Sequence, residues 1–359
     1  MVHHVTMIPG DGIGPEVCDA ARRVLEATGV GLEWDAHDLG AESYARAGPP
    51  LLERVLASVR ERGVALKGPI ATPSGTGFRS INVALRTELD LYAGIRPCRA
   101  YPGVPTPFPE TDLVVVRMNH EDLYAGIEYG RDEQAAAQLR RLVRESRGVE
   151  LSDDTGISLK PLSASASARV AHAAFEYARA YGRRKVTAVH KATVMRCTDG
   201  LFLEACREVA AAYPDIMFDD RLVDSVCHQL VSRPAECDVL LLPTMYGDIV
   251  SDLGAGMVGG LGMAPGANVG DEAAVFEAVH GSAPRHAGHG RANPFGLMLS
   301  GVMLLRHLGE QQAASRLEQA ISEVVRERKT VTYDLKRPRD DTSAASTAEV
   351  AQAVVRRLS

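Results

Sequence analysis

Short apolar blocks alternate along the chain with longer stretches of mixed polarity, a pattern that predicts strands and helices in alternation. Residues 5–8, Val-Thr-Met-Ile, read as a strand and residues 9–14 as a glycine-rich turn. Pro15-Glu16-Val17 then opens a helix, where proline's missing N–H does no harm. A strand over 64–70 leads into Ala-Thr-Pro-Ser-Gly-Thr-Gly-Phe-Arg-Ser-Ile-Asn, whose small residues let a ligand approach the backbone, and a helix follows over 83–89. Prolines at 97, 102, 105, 107 and 109 forbid regular structure across 97–109 and suggest a crossing between domains. Val114-Val115-Val116 is a buried strand. Residues 130–160 are charged and irregular, with a helical piece at 133–147 and turn chemistry at Ser-Asp-Asp-Thr-Gly, and read as a protruding arm. Beyond it come an alanine-rich helix at 167–181, strands at 185–189 and 239–242, and a helix at 200–213. Seven glycines within 254–270 imply close-packed helix and tight turn. The pattern is that of an α/β protein.

Composition narrows the class. At 359 residues, 45% hydrophobic and 24% charged, the chain suits a soluble enzyme of two domains or one large α/β body. A net charge of −6 gives no nucleic-acid footprint, and 5% aromatic content argues against a stacking surface. The longest apolar stretch, 295–305, is too short to span a bilayer and reads as a buried helix. No export signal is visible at the start and the six cysteines include no Cys-x-x-Cys pair, so reduced thiols in a cytoplasm are expected. Glycines 10, 12 and 14 lack the G-x-G-x-x-G spacing, which disfavours a Rossmann site in this turn.

Three aspartates carry the candidate chemistry. Asp248 and Asp252 stand four apart in Gly-Asp-Ile-Val-Ser-Asp-Leu, so on a helix both carboxylates share a face. With Asp224 they are laid out as a site for a hard cation such as Mg2+ or Mn2+, which relieves their mutual repulsion and leaves positions open for a small polycarboxylate. Lys191, in Val-His-Lys, is the candidate proton acceptor beside them. On spacing alone, a solvated helix face with an incidental acidic pair is the rival reading.

Several longer motifs occur in order: Ile-Pro-Gly-Asp-Gly-Ile-Gly-Pro-Glu-Val, Asn119 with Glu-Asp-Leu-Tyr-Ala-Gly-Ile-Glu, Val-His-Lys, Tyr-Gly-Asp-Ile-Val-Ser-Asp-Leu, Ala-Pro-Gly-Ala-Asn and His-Gly-Ser-Ala-Pro. Together they resemble the β-decarboxylating dehydrogenases, the family of isocitrate, homoisocitrate, 3-isopropylmalate and tartrate dehydrogenases, and isocitrate dehydrogenase most of all. The resemblance implies a non-Rossmann two-domain α/β fold. Residues 1–98 and 254–359 would form a large cofactor-binding domain, and 99–253 a smaller dimerisation domain with the arm at about 130–160. It also implies a homodimer with shared sites, in which Lys191 and Asp224 come from one subunit and Tyr124, Asp248 and Asp252 from the other.

By the same resemblance Lys191 takes the hydroxyl proton, which requires a neutral amine, and Tyr124 protonates the enol carbon after CO2 leaves. Arg86, Arg96 and Arg117 match the arginines that clamp the malate part of the substrate, the guanidinium fork being suited to carboxylates. Ser80 and Asn82 match the polar pair that isocitrate dehydrogenases turn to the γ-carboxylate, where isopropylmalate enzymes place an apolar residue. Met118, His120 and Thr193 depart from the family's usual glutamate, serine or threonine, and asparagine. The first two fit a more anionic γ-group, such as a phosphonate, or neutral drift.

For the cofactor, His280-Gly281-Ser282-Ala283-Pro284 is followed by Arg285-His286, where NAD-using relatives have Asp-Ile. An aspartate repels a 2′-phosphate and arginine pairs with it. Tyr333 and Arg337 resemble residues that bacterial NADP enzymes aim at the same phosphate, so NADP is expected over NAD, although the chain is nearer in length to the NAD-type members. Thr72, Glu277 and Asn293 match positions near the nicotinamide and adenine. The expected reaction is metal-dependent oxidative decarboxylation of isocitrate or a close 2-hydroxy polyacid. Other open readings are a phosphonate analogue, homoisocitrate, tartrate or 3-isopropylmalate as substrate, and a non-catalytic regulatory subunit.

Overall fold

The computed structural model describes residues 2–71, 80–338 and 341–358. Twelve strands appear in chain order: β1 Val2–Ile8, β2 Gly31–Ala36, β3 Val64–Lys67, β4 Ala93–Arg99, β5 Asp112–Met118, β6 Glu128–Tyr129, β7 Ile157–Ser158, β8 Lys185–His190, β9 Met217–Leu222, β10 Val239–Leu242, β11 Pro265–Val269 and β12 Ala274–Ala278. Ten of them build one sheet in the order β2-β1-β3-β12-β11-β4-β5-β10-β8-β9, and β6 pairs with β7 in the arm. The four strands at each end of the sheet run parallel to one another. The antiparallel pairings of β11 with β12 and β4, and of β4 with β5, join the two ends and reverse their direction. Strands β1 to β4, β11 and β12 come from the two ends of the chain, and β5, β8, β9 and β10 from its middle.

Helices cover both faces, so strand residues alternate between two cores rather than between core and water. Val114, Val116 and Met118 pack with the helices Ala164–Ala180 and Asp199–Ala210. Leu113 and Val115 face the opposite way, toward Val226 of the helix Val223–Ser232 and Val250 of Thr244–Met257. In the other half of the sheet Val5, Met7 and Leu66 meet Phe295, Leu317 and Val350, while Ile8 and Ala65 meet Val55 and Leu56. The apolar stretch starting at 295 is indeed a buried helix, Phe295–His307, and no helix of the described residues is long and apolar enough to cross a membrane.

Two expectations need correction. Pro97 lies inside β4, not in a loop. Its pairing to β5 is intact (Pro97↔Val114), but the β4–β11 ladder covers only Ala93 to Ile95, so the missing N–H falls where that ladder has ended. The segment 254–270 also contains the strand β11 besides the end of Thr244–Met257 and a turn through Gly259 and Gly260. The helical piece read at 133–147 is a helix, Gln134–Arg147, stopped by Gly148 in the left-handed conformation.

Candidate active site

The parallel half β5-β10-β8-β9 presents its carboxyl edge as a row of functional side chains, the usual place for a site in an α/β sheet. Arg117 is the penultimate residue of β5, and the helix Thr244–Met257 follows β10 after Pro243. Lys191 follows β8, and Asp224 stands in the first turn of the helix after β9. Because His190 and Leu222 are register partners, Lys191 and Asp224 emerge side by side. The Lys191 amine donates to the Asp224 carboxylate and holds that carboxyl below its usual range.

A second cluster gathers under Thr244–Met257. The Tyr124 hydroxyl donates to Asp248 Oδ2 at 2.5 Å, Arg117 reaches Asp248 Oδ1 at 2.8 Å, and Arg96 lies 3.3 Å from Asp248 and 3.7 Å from Asp252. Arg96 also donates to the Ser251 hydroxyl at 2.6 Å. Arg117 is 1% exposed, and Gly247 makes its burial possible: a Cβ there would sit 2.3 Å from Arg117 Cβ. Burial works to raise Asp248, but Arg117, the Tyr124 hydroxyl and Arg96 outweigh it and hold the carboxyl low. Asp252, one turn away, is raised by burial and by the charge of Asp248 despite Arg96. Burial and the adjacent Asp248 raise Tyr124, which keeps its phenol protonated.

The three aspartates do not meet within one chain. Two strand spacings, roughly 10 Å, separate β10 from β9, and among the described residues no three acidic, histidine or cysteine side chains converge as a cation cage. Within one chain they therefore fall into two groups, Lys191 with Asp224 and Tyr124 with Asp248 and Asp252. That division is the one the dimeric resemblance implies.

Between the two halves of the sheet lies a cavity of about 140 Å3 lined by Lys67, Asn82, Arg86, Arg96, Glu277 and His280, among others. Glu277 is its charged centre. Lys67 at 2.5 Å, Arg86 at 2.8 Å and the Asn268 amide at 2.7 Å all contact its carboxylate. Burial opposes ionisation of Glu277, yet Lys67 and Arg86 hold it far below the usual carboxylate range. Lys67 and Asn268 were not anticipated. A lysine ending the four-residue strand Val-Ala-Leu-Lys, all of it buried, is the signal for the first, since a buried ammonium demands a carboxylate partner.

Asn82 donates to the Ile70 carbonyl at 3.0 Å, and its own buried oxygen has no donor among the described residues. Ser80 stands at the N-cap of the helix Ile81–Glu88. Thr72 lies outside the described residues. Two of the departures point away from the site: Met118 is buried in the core behind β5, and His120 bonds the Arg86 carbonyl at 3.1 Å and lies 3.6 Å from Asp90. Neither adds charge to the cavity, which removes the support they gave to a more anionic substrate group. Thr193 is exposed.

The loop expected to hold the adenosine end is built from distant pieces. Gly12 (φ +62) lets the first turn lie against the Ser282 carbonyl, which accepts from Ile13 N at 2.9 Å; a Cβ on Gly12 would sit 1.9 Å from that oxygen. Gly281 is open on the Cβ side, and Ala283 holds a positive φ of 40°. Burial lowers the pKa of His280, and its Nε2 has no partner among the described residues. His286 stacks on Tyr333 at 5.9 Å and Arg291 lies over the same ring at 4.6 Å. Arg285, next to His286 in the chain, is exposed, Arg337 donates to the Asp334 and Lys336 carbonyls, and Asn293 bonds Asp334 at 2.8 Å. Glu16 was also missed. Its carboxylate accepts from Gly290 N and Ala292 N, both at 3.0 Å, and so pins this loop to the first helix.

The structure is thus a mixed sheet with no Rossmann fingerprint that carries a lysine–aspartate pair and an arginine-bound acidic pair at its carboxyl edge. The chain belongs to the isocitrate/isopropylmalate dehydrogenase family, whose sequence model matches residues 4–354. It is 46% identical over 331 residues to catalytic subunit 5 of the mitochondrial NAD isocitrate dehydrogenase of Arabidopsis thaliana, covering 92% of this chain and 83% of that protein. It is 45% identical over 321 residues to the chloroplastic 3-isopropylmalate dehydrogenase of Solanum tuberosum, covering 89% and 84%. Among solved structures, isocitrate dehydrogenase from Methylococcus capsulatus superposes with a TM-score of 0.89 at 44% identity, covering 99% of each chain. The family is one of β-decarboxylating dehydrogenases, and this chain shares its fold.

Proposed function

We propose that the protein oxidatively decarboxylates isocitrate or a close 2-hydroxy polyacid, as a homodimer, with NADP as hydride acceptor and Mg2+ or Mn2+ as metal. The observation that carries this reading is the convergence of Arg96 and Arg117 on Asp248, beside Tyr124 and next to a cavity bearing Arg86 and Asn82. Such a cluster suits a substrate with several carboxylates. Asp248 and Asp252, with Asp224 from a second copy, are an all-oxygen donor set fitted to a hard cation; Asp252 is raised by burial first and by the charge of Asp248 second, and a cation would favour its ionised form on both counts. When bound, the metal supplies Lewis acidity at the substrate's hydroxyl and keto oxygens. Lys191, once released from Asp224 and neutral, takes the hydroxyl proton as hydride departs, and the protonated Tyr124 delivers a proton to the enol carbon left by CO2.

The dimer is supported by the surface. Among the described residues, every exposed large apolar side chain except Val2 and Leu261 lies between residues 99 and 253, including Leu123, Ile127, Leu142, Val194, Met245 and Ile249. The free thiols of all six cysteines suit a reducing compartment such as the cytosol.

The NADP reading rests on the basic, stacked rim of His286, Tyr333 and Arg291 with Arg285 and Arg337 nearby, and it is made against relatives named for NAD. Arg285→Asp combined with Arg337→Ala is expected to shift the NADP/NAD ratio of kcat/KM toward NAD, by on the order of tenfold or more if a charge-assisted contact to the phosphate is lost. An unchanged ratio sinks the cofactor assignment. For the substrate, Ser80→Leu is expected to lower kcat/KM for isocitrate far more than for 3-isopropylmalate, because an apolar side chain leaves a γ-carboxylate unpaired. Equal losses would show that this position does not select.

A further inference from the structure

We propose that Lys160 is a positioning residue whose single ammonium, on a side chain 13% exposed, aligns the Tyr124 loop, the Lys191 loop and the start of the helix carrying Asp248 and Asp252. Lys160 comes two residues after the arm strand β7. Its Nζ lies 2.5 Å from Asp199 and 3.8 Å from Asp122, and 4.5 Å from the centre of the Tyr246 ring. Both aspartates are 0% exposed.

Each carboxylate uses its second oxygen on a different part of the candidate site. Asp199 accepts from the backbone N–H of Lys191 at 2.7 Å, and Asp122 accepts from Met245 N at 3.0 Å, in the first turn of Thr244–Met257. Asp122 is also two residues from Tyr124, and its own N–H donates to the Pro161 carbonyl at 2.8 Å. Glu121 completes the seam by accepting from the Ser163 backbone N–H at 2.7 Å and its hydroxyl at 2.6 Å. The stretch 160–163 is therefore the floor beneath both groups.

Backbone strain supports the same reading. Glu121 and Asp122 are consecutive non-glycine residues at φ +59° and +57°. Such conformations are unfavourable for residues with a side chain and persist only where the surroundings over-determine them. Without the ammonium, two buried carboxylates lose their common counter-charge, and the strained turn loses what holds it. The arm then fixes the geometry of three catalytic segments without touching any reacting atom.

The test compares wild type, Lys160→Met and Lys160→Arg by steady-state kinetics, hydrogen exchange of the free protein, and oligomer size. The kinetic arm rests on the proposed reaction; the exchange arm needs no substrate and stands if that reaction is wrong. For Lys160→Met, kcat is expected to fall by on the order of 10²-fold, the cost of a misplacement near 1 Å, with KM for isocitrate moving much less. Exchange should rise within 121–125, 191–198 and 244–248 while the oligomer is unchanged, and Lys160→Arg should recover most of both. If Lys160→Met does not fold, Lys160→Gln, which can still donate to Asp199, replaces it with the same expectations. Unchanged exchange in those segments overturns the proposal. So does exchange that rises evenly along the whole chain, which marks a merely structural lysine.

Discussion

Lys191→Met is expected to reduce kcat for oxidative decarboxylation by about 10²–10⁴-fold, the usual contribution of a positioned general base, while substrate and nucleotide still bind. The amine donates to Asp224, and both groups stand at the ends of paired strands. Methionine preserves the length of the side chain and removes the only proposed proton acceptor. The same measurement on Asp224→Asn separates two roles, because that variant keeps the amine but weakens its anchor and one metal-binding oxygen. Turnover surviving in Lys191→Met would sink the assignment of the base, and turnover surviving exhaustive chelation would sink the metal.

Glu277→Gln is expected to destabilise the fold by roughly 3–5 kcal/mol, the cost of leaving buried cations without their counter-charge. Lys67, 4% exposed, and Arg86, 14% exposed, both depend on this carboxylate. Its pKa sets the pH window. Glu277 is depressed in the folded protein, so its contribution is complete above the ordinary glutamate value of about 4.3 and is lost as pH falls below that toward the folded value. Denaturant midpoints of wild type and variant should thus differ fully at pH 7 and converge on acidification. A gap below about 1 kcal/mol at pH 7, the size of an exposed ion pair, would contradict the burial argument.

Much of this architecture was legible in the sequence because it rests on local rules. The strand Val239–Leu242, the arm helix with its glycine stop and the alanine-rich helix all follow from short-range pattern and turn chemistry. The one-turn spacing of Asp248 and Asp252 places both on one helix face near Arg96. The illegible features depend on topology. Nothing local shows that β8 and β9 are neighbours, and so nothing local pairs Lys191 with Asp224. Pro97 reads as a breaker because the point where the β4–β11 ladder stops is a long-range property. Met118 and His120 adjoin Arg117 in sequence, yet strand alternation sends Met118 to the opposite core and the chain carries His120 toward Arg86. Lys67, Asn268 and Lys160 matter through partners far away along the chain, Glu277, Glu277 and Asp199.

The carboxylate of Glu16 reaches Gly290 and Ala292, and Thr347, the first residue of the last helix, donates its hydroxyl to the Ala292 carbonyl at 2.7 Å and its N–H to the Gly290 carbonyl at 2.8 Å. One strip of backbone is thereby strapped down by both extremities of the polypeptide. Trimming the final helix should consequently weaken nucleotide binding at the proposed site, although it removes no residue proposed to contact the nucleotide.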